Sequence, residues 1–98
     1  MKLLWTDRAR KDLIQIGRYI AKDNPQAARR WVELIRQAAR RTSRMPLAGR
    51  VVPEFNDENI REVFLKTYRI VYHIKKKEIH VLTVFEGHRL LKENEPVD

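Results

Sequence analysis

Ninety-eight residues, 43% of them hydrophobic, are enough for one core and too few for two domains. Lysine and arginine number 21 against 13 aspartates and glutamates, a formal net charge of +8, and the absence of cysteine excludes disulfides, thiolate metal sites and a cysteine nucleophile. No apolar run approaches the roughly 18–20 residues that cross a bilayer, and residues 1–7 run into charge too soon for a secretory leader; a basic protein of the cytoplasm, away from membranes, is expected.

Residues 1–5 are short and apolar and read as a strand. Thr6 and Asp7 then cap a helix to about Lys22, with Ala9, Leu13, Ile16, Gly17 and Ile20 on one face and Lys11, Gln15, Arg18 and Lys22 on the other. Asp23-Asn24-Pro25 stops that helix and starts a second, because Asn24 can cap and Pro25 suits a first helical position. The second helix runs to about Arg44, with Ala27, Trp31, Leu34, Ile35 and Ala38 on its apolar face and Arg29, Glu33, Arg36, Arg40 and Arg44 opposite. So tight a turn makes the pair an antiparallel hairpin.

After a loop over residues 45–49, residues 50–54 form a short strand whose Pro53 marks an edge or an end. Residues 55–59 are a polar connection. Residues 60–65, 68–74 and 78–85 are β-branched and aromatic runs with short polar breaks, a meander whose second hairpin turns at Lys75-Lys76-Lys77. The expected fold class is therefore α+β in a single domain over residues 1–98, with a polar tail from about 92. An N-terminal strand and a helical hairpin pack in two layers on one face of a mainly antiparallel sheet. Strand alternation turns Tyr68, Ile70, Tyr72 and Ile74 toward the helices and Arg69, Val71 and His73 toward the uncovered reverse face. A two-residue turn at Lys76-Lys77 would set His73 opposite His80 and Val71 opposite Leu82.

The positive charge is lopsided. Residues 1–50 carry 13 basic and 4 acidic side chains, and ten of the 13 are arginine, which favours planar anionic partners; residues 51–98 carry 8 basic and 9 acidic. Such a surface suits a polyanion or an acidic protein. The candidate partner surface is the stripe Arg29, Arg36, Arg40 and Arg44 with Arg69, Val71, His73 and Leu82 of the open sheet face. No metal site is expected, because His73 and His80 lack an acidic residue at ligand spacing and no HxxxH occurs. Ser43 has no nucleophile-elbow context, and Gly17, Gly49 and Gly87 are too isolated to cradle phosphate, so no cofactor is expected either.

One cluster has chemical potential. Glu62 as base, His88 as acid and Arg69 with Arg89 as charge stabilisers would suffice for metal-free RNA cleavage. Glu62 and Arg69 on adjacent strands equally make a plain ion pair.

Ile60-Arg61-Glu62-Val63, Tyr68-Arg69-Ile70-Val71-Tyr72, residues 79–85 and Gly87-His88-Arg89 resemble the sheet signature of the ParE/RelE superfamily of bacterial toxins, and the opening helical stretch resembles the hairpin of its ParE-type members. The resemblance spans about residues 1–90. It implies the toxin of a type II toxin–antitoxin system, associated with plasmid stabilisation and neutralised by a small antitoxin whose disordered C-terminal segment folds on the toxin, in a complex that can grow into a higher-order hetero-oligomer. ParE-type members inhibit DNA gyrase by protein–protein contact without catalytic residues, whereas RelE-type members cut mRNA on the ribosome. Arg69 and Arg89 match RelE-type positions, and some relatives use a set like Glu62, Arg69 and His88. Glu62 and Phe64 stand where further RelE-type basic residues belong, however, and no tyrosine follows Tyr72. The long hairpin fits ParE, with a non-toxic antitoxin-binding relative as a further alternative.

Overall fold

A computed structural model describes residues 1–87 of the protein. The chain order is β1 (Lys2–Trp5), α1 (Asp7–Ala21), α2 (Pro25–Arg44), one 3₁₀ turn (Pro46–Ala48), β2 (Arg50–Val51), β3 (Ile60–Leu65), β4 (Tyr68–Ile74) and β5 (Glu78–Glu86). Small polar side chains start both helices. The Thr6 hydroxyl accepts from the Ala9 amide at 3.1 Å, and the Asn24 side chain accepts from the Ala27 amide at 3.0 Å with Pro25 next in line. Gly17 faces the partner helix. A Cβ there would sit 3.1 Å from a Val32 methyl, so the missing side chain lets α1 and α2 close up.

The strands form one sheet in the order β1-β5-β4-β3-β2, antiparallel throughout except where β1 runs parallel to β5. β1 stops opposite Val81, and among the described residues no strand continues along the rest of β5 on that side. Side chains from the start of α1 replace it. The Thr6 hydroxyl donates toward the Val81 and Leu82 carbonyls at 2.9 and 3.1 Å, while Asp12 Oδ2 accepts from the Val84 amide at 3.2 Å and the Thr83 hydroxyl at 2.5 Å. The Val81 carbonyl also accepts from the Thr6 amide at 3.1 Å, and beyond it the side chains give the Leu82 carbonyl and the Val84 amide partners.

The helical hairpin covers one face of the sheet, as expected. Ala9, Leu13, Ile35, Ala38 and Ala39 pack on Tyr68, Ile70, Val81 and Val84. Trp31 joins this core, its ring centroid 5.8 Å from that of Tyr68. The buried stripe of α2 is rotated from the expected one: Ala28, Ala39 and Thr42 are buried, and Ala27 and Leu34 only half-buried. Small residues at those positions bring the backbone of α2 close to the sheet.

Two expectations are corrected. The reverse face is not uncovered. The segment between β2 and β3 folds back over it, and Val52 and Phe55 pack with Ile60 against Val71, Leu82 and Phe85. Arg69, Val71 and Leu82 are consequently buried, at 4%, 0% and 3% exposure, and His73 is half-buried. The physical reason lies in the segment after β2, a strand that ends at Val51 rather than running to 54. Val52, expected in that strand, and Phe55, in the stretch read as a polar connection, are apolar, and the reverse face is where they escape water. The register also differs. His73 does oppose His80, but a bulge at Val71/Tyr72 inserts an extra residue in β5, so Val71 opposes Thr83 rather than Leu82.

Candidate functional site

Between α1, α2 and β1 runs an open groove of about 1020 Å³. Leu3, Leu4 and Trp5 of β1, Leu13 and Ile14 of α1 and Ala28 and Val32 of α2 give it an apolar floor. Its rims are cationic. Arg10 and Arg18 flank Ile14 at i, i+4 and i+8 along α1, while Arg29, Arg36 and Arg40 repeat along one side of α2. Glu33 is the one acid among the lining residues. Arg40 donates to it at 2.8 Å, and that hydrogen bond holds the Glu33 carboxyl below the usual carboxylate range, so the groove offers an excess of unneutralised guanidinium groups.

Of the expected partner-binding residues, Arg29, Arg36 and Arg40 thus come together on one groove. Arg44 is exposed in the last turn of α2, beyond the groove, where a cation complements the helix dipole. Arg69, Val71 and Leu82 are inside the fold, and His73 lies on the reverse face. The sequence reading missed Arg10, Ile14 and Arg18. Ile14 carried the available signal: it falls off the core face of α1, is 52% exposed, and is bracketed by arginines one turn either way.

The candidate catalytic residues occupy a different place. Glu62 (β3) and Arg69 (β4) do meet, diagonally across the strand pair: Arg69 Nε donates to Glu62 Oε1 at 2.8 Å, and its Nη2 donates to the same oxygen. Arg50 of β2, the register partner of Glu62, donates from Nε to Oε2 at 2.5 Å. Arg69 reaches Glu54 as well, at 3.4 Å, and its guanidinium lies 5.0 Å from the Phe85 ring centroid and 5.9 Å from that of Phe64. The Glu62 side chain is 0% exposed and that of Arg69 5%. This is a buried ion-pair network roofed by aromatics, with both carboxylate oxygens of Glu62 already accepting. Pairing residues 50–51 with 61–62 would have found Arg50 from the sequence. His88 and Arg89 lie outside the described residues.

His73 and His80 are cross-strand neighbours, and His80 Nε2 lies 2.9 Å from Glu78 Oε1. Burial, then the nearby Lys75 charge, pushes the His73 imidazole below its ordinary value. Among the described residues no group of three or more histidines and carboxylates is placed to hold a metal ion.

Comparison with known proteins agrees with this architecture. Residues 3–91 match the family described as the ParE toxin of the type II toxin–antitoxin system parDE. A curated relative named as a toxin, Y4kP of Sinorhizobium fredii (strain NGR234), is 36% identical over 90 residues, which is 90% of each chain. A chain from a solved structure of the chromosomal ParDE toxin–antitoxin system of P. aeruginosa superposes with a TM-score of 0.73 at 25% identity, covering 88% of this chain and 95% of that one. With a helical hairpin on a five-stranded sheet and a family match over nearly its whole length, this chain belongs to the ParE toxins of type II toxin–antitoxin systems.

Proposed function

We propose that this ParE-family toxin acts in the cytoplasm by inhibiting DNA gyrase through protein–protein contact, without catalytic residues of its own, and that a cognate antitoxin silences it by laying an acidic, amphipathic C-terminal segment in the groove between α1, α2 and β1. The observation that carries the antitoxin reading is the groove itself. An apolar floor between arginine rims complements a helix with one apolar face and acidic flanks, and a segment disordered when free can fold into it. A segment seated there would stand in the way of another macromolecule approaching the hairpin, which is how binding at this site would silence the toxin.

The buried network supports contact over catalysis. A general base must come within hydrogen-bond reach of the proton it takes. Glu62 is enclosed and held by two guanidinium groups, so its place in the fold is better explained by structure than by RNA cleavage.

Induced expression in bacteria tests the reading. DNA breaks with SOS induction, relieved by co-expressing the cognate antitoxin and no longer relieved when Arg29→Glu and Arg36→Glu are combined, are the expected result. Prompt translation arrest with codon-phased mRNA cuts would overturn it in favour of a ribosome-dependent nuclease. Normal growth would overturn it in favour of a relative that only binds its antitoxin.

A further inference from the structure

The opposite side of the sheet has an unfinished edge. β2 contributes two residues, Arg50 and Val51, opposite Glu62 and Arg61. The Ile60 carbonyl faces the β2 side, accepting from the Val52 amide at 3.0 Å, and alternate residues of an antiparallel strand repeat that orientation. Glu62 therefore turns toward β2, and so does Phe64, two residues on. At Phe64 no strand among the described residues meets it, because the 3₁₀ turn Pro46–Ala48 carries the chain away before it could continue β2.

Beside this edge a cavity of about 170 Å³ opens between α2 (Ala38, Arg41, Met45) and β3 (Val63, Phe64), enough for one large apolar side chain. The surroundings are sticky and cationic. Met45 is 65% exposed, Leu47 on the adjoining turn 71% and Phe64 52%, which gathers three of the large exposed hydrophobics into one corner. Arg41 lines the cavity, with no acid among its described lining residues, and the 59%-exposed Arg50, which donates from Nε to the buried Glu62, holds its guanidinium 5.5 Å from the Phe64 ring.

We infer that this corner is a second docking surface, which takes an extended acidic segment of a partner protein: the segment's backbone pairs with the outer edge of β3 at Phe64, one of its apolar side chains fills the cavity, and its carboxylates meet Arg41 and Arg50. Charge selects the occupant. A second copy of this chain would bring its own arginines against these, and a neutral strand would leave Arg41 without an acid to meet it in the cavity. The corner lies on the other side of α2 from the groove: Arg29, Arg36 and Arg40 line the groove, whereas Ala38, Arg41 and Met45, on the opposite side of the helix, line the cavity. A ligand here and a ligand in the groove can therefore be bound at once, and this proposal stands whether or not the groove holds an antitoxin.

The test uses the isotopically labelled full chain and an acetylated, amidated pentapeptide of sequence Glu-Val-Leu-Val-Glu, with the Lys-Val-Leu-Val-Lys analogue as control. Saturation with the acidic peptide is expected to slow hydrogen exchange of the Phe64 amide about tenfold or more. Combining Met45→Glu with Arg41→Glu, both at exposed positions, is expected to weaken binding about tenfold, while Arg36→Glu in the groove leaves it unchanged. Unaltered exchange at Phe64 in the parent protein, equal binding of the lysine peptide, or protection confined to groove residues would overturn the inference. So would a concentration-dependent dimer, seen by sedimentation without peptide, that itself protects Phe64.

Discussion

Replacing Arg69 with methionine strands the most enclosed charge of the network. The Glu62 side chain is 0% exposed, and with Arg69 gone its remaining guanidinium is Arg50, itself 59% exposed and bonded through Nε alone. Breaking a buried pair from one side costs about 3–5 kcal/mol, because the surviving charge stays out of water without adequate compensation. Arg50→Met is the contrasting change. It removes a water-screened partner while the two-nitrogen grip of Arg69 persists, a loss of about 0–1 kcal/mol. Domains of this size have roughly 5–15 kcal/mol in total, and each kcal/mol moves the melting temperature by about 4–8 °C. Arg69→Met should therefore lower Tm by well over ten degrees and Arg50→Met by a few. Urea unfolding followed by circular dichroism separates them, provided the slopes match the parent's. Pairing Glu62→Leu with Arg69→Met should recover much of the loss, since replacing both charges leaves neither stranded. A cost for Arg69→Met within 1 kcal/mol of that for Arg50→Met, or strict additivity in the double variant, would refute the reasoning.

Thr6→Ala removes the cap of α1 together with the bonds to the Val81 and Leu82 carbonyls, and a loss of about 1–2 kcal/mol is expected, most of it restored by Thr6→Ser in the same melt. Gly49→Ala would drive a Cβ into the Tyr72 hydroxyl and to 2.9 Å from the Glu62 carbonyl; thermal unfolding should show a clear drop, partly relieved by adding Tyr72→Phe, which clears the hydroxyl at the cost of its 2.6 Å bond to the Pro46 carbonyl. His73 is held below its ordinary 6.5, by burial first and Lys75 second, so the folded chain binds this proton less readily than the unfolded one. The stability that follows is complete above about pH 6.5 and declines as pH falls through the lowered folded value, so His73→Gln should flatten the urea midpoint against pH in that window.

The layers were legible from local signals: Thr6 and Asn24-Pro25 as helix starts, residues 60–65, 68–74 and 78–85 as strands, and the periodic apolar faces that put the hairpin on the sheet. Three arginines of the groove were legible too, since Arg29, Arg36 and Arg40 recur on one side of α2. What failed was the reverse face. Alternation along β4 correctly put Arg69 and Val71 there, but it says nothing about what covers them. The cover comes from Val52 and Phe55 in an irregular segment with no periodicity to read, and so do the consequences, from the burial of Leu82 to the enclosure of Glu62 and Arg69. The bulge in β5 was equally silent, because an inserted residue changes the register without altering the apolar character of Val81, Leu82 and Val84. Arg10 and Arg18 were passed over because each looks like an ordinary solvated helix charge until α2 brings the opposite rim alongside.

On the proposed reading the toxin contacts gyrase, and the groove decides whether the antitoxin can release it. Purified toxin added to DNA gyrase and relaxed plasmid should halt supercoiling and accumulate cleaved DNA. The cognate antitoxin should reverse both effects for the parent toxin and fail to do so once Arg29→Glu and Arg36→Glu have turned the groove rim against its acids. Undiminished supercoiling at saturating toxin, alongside cleavage of ribosome-bound mRNA by the same preparation, would contradict it.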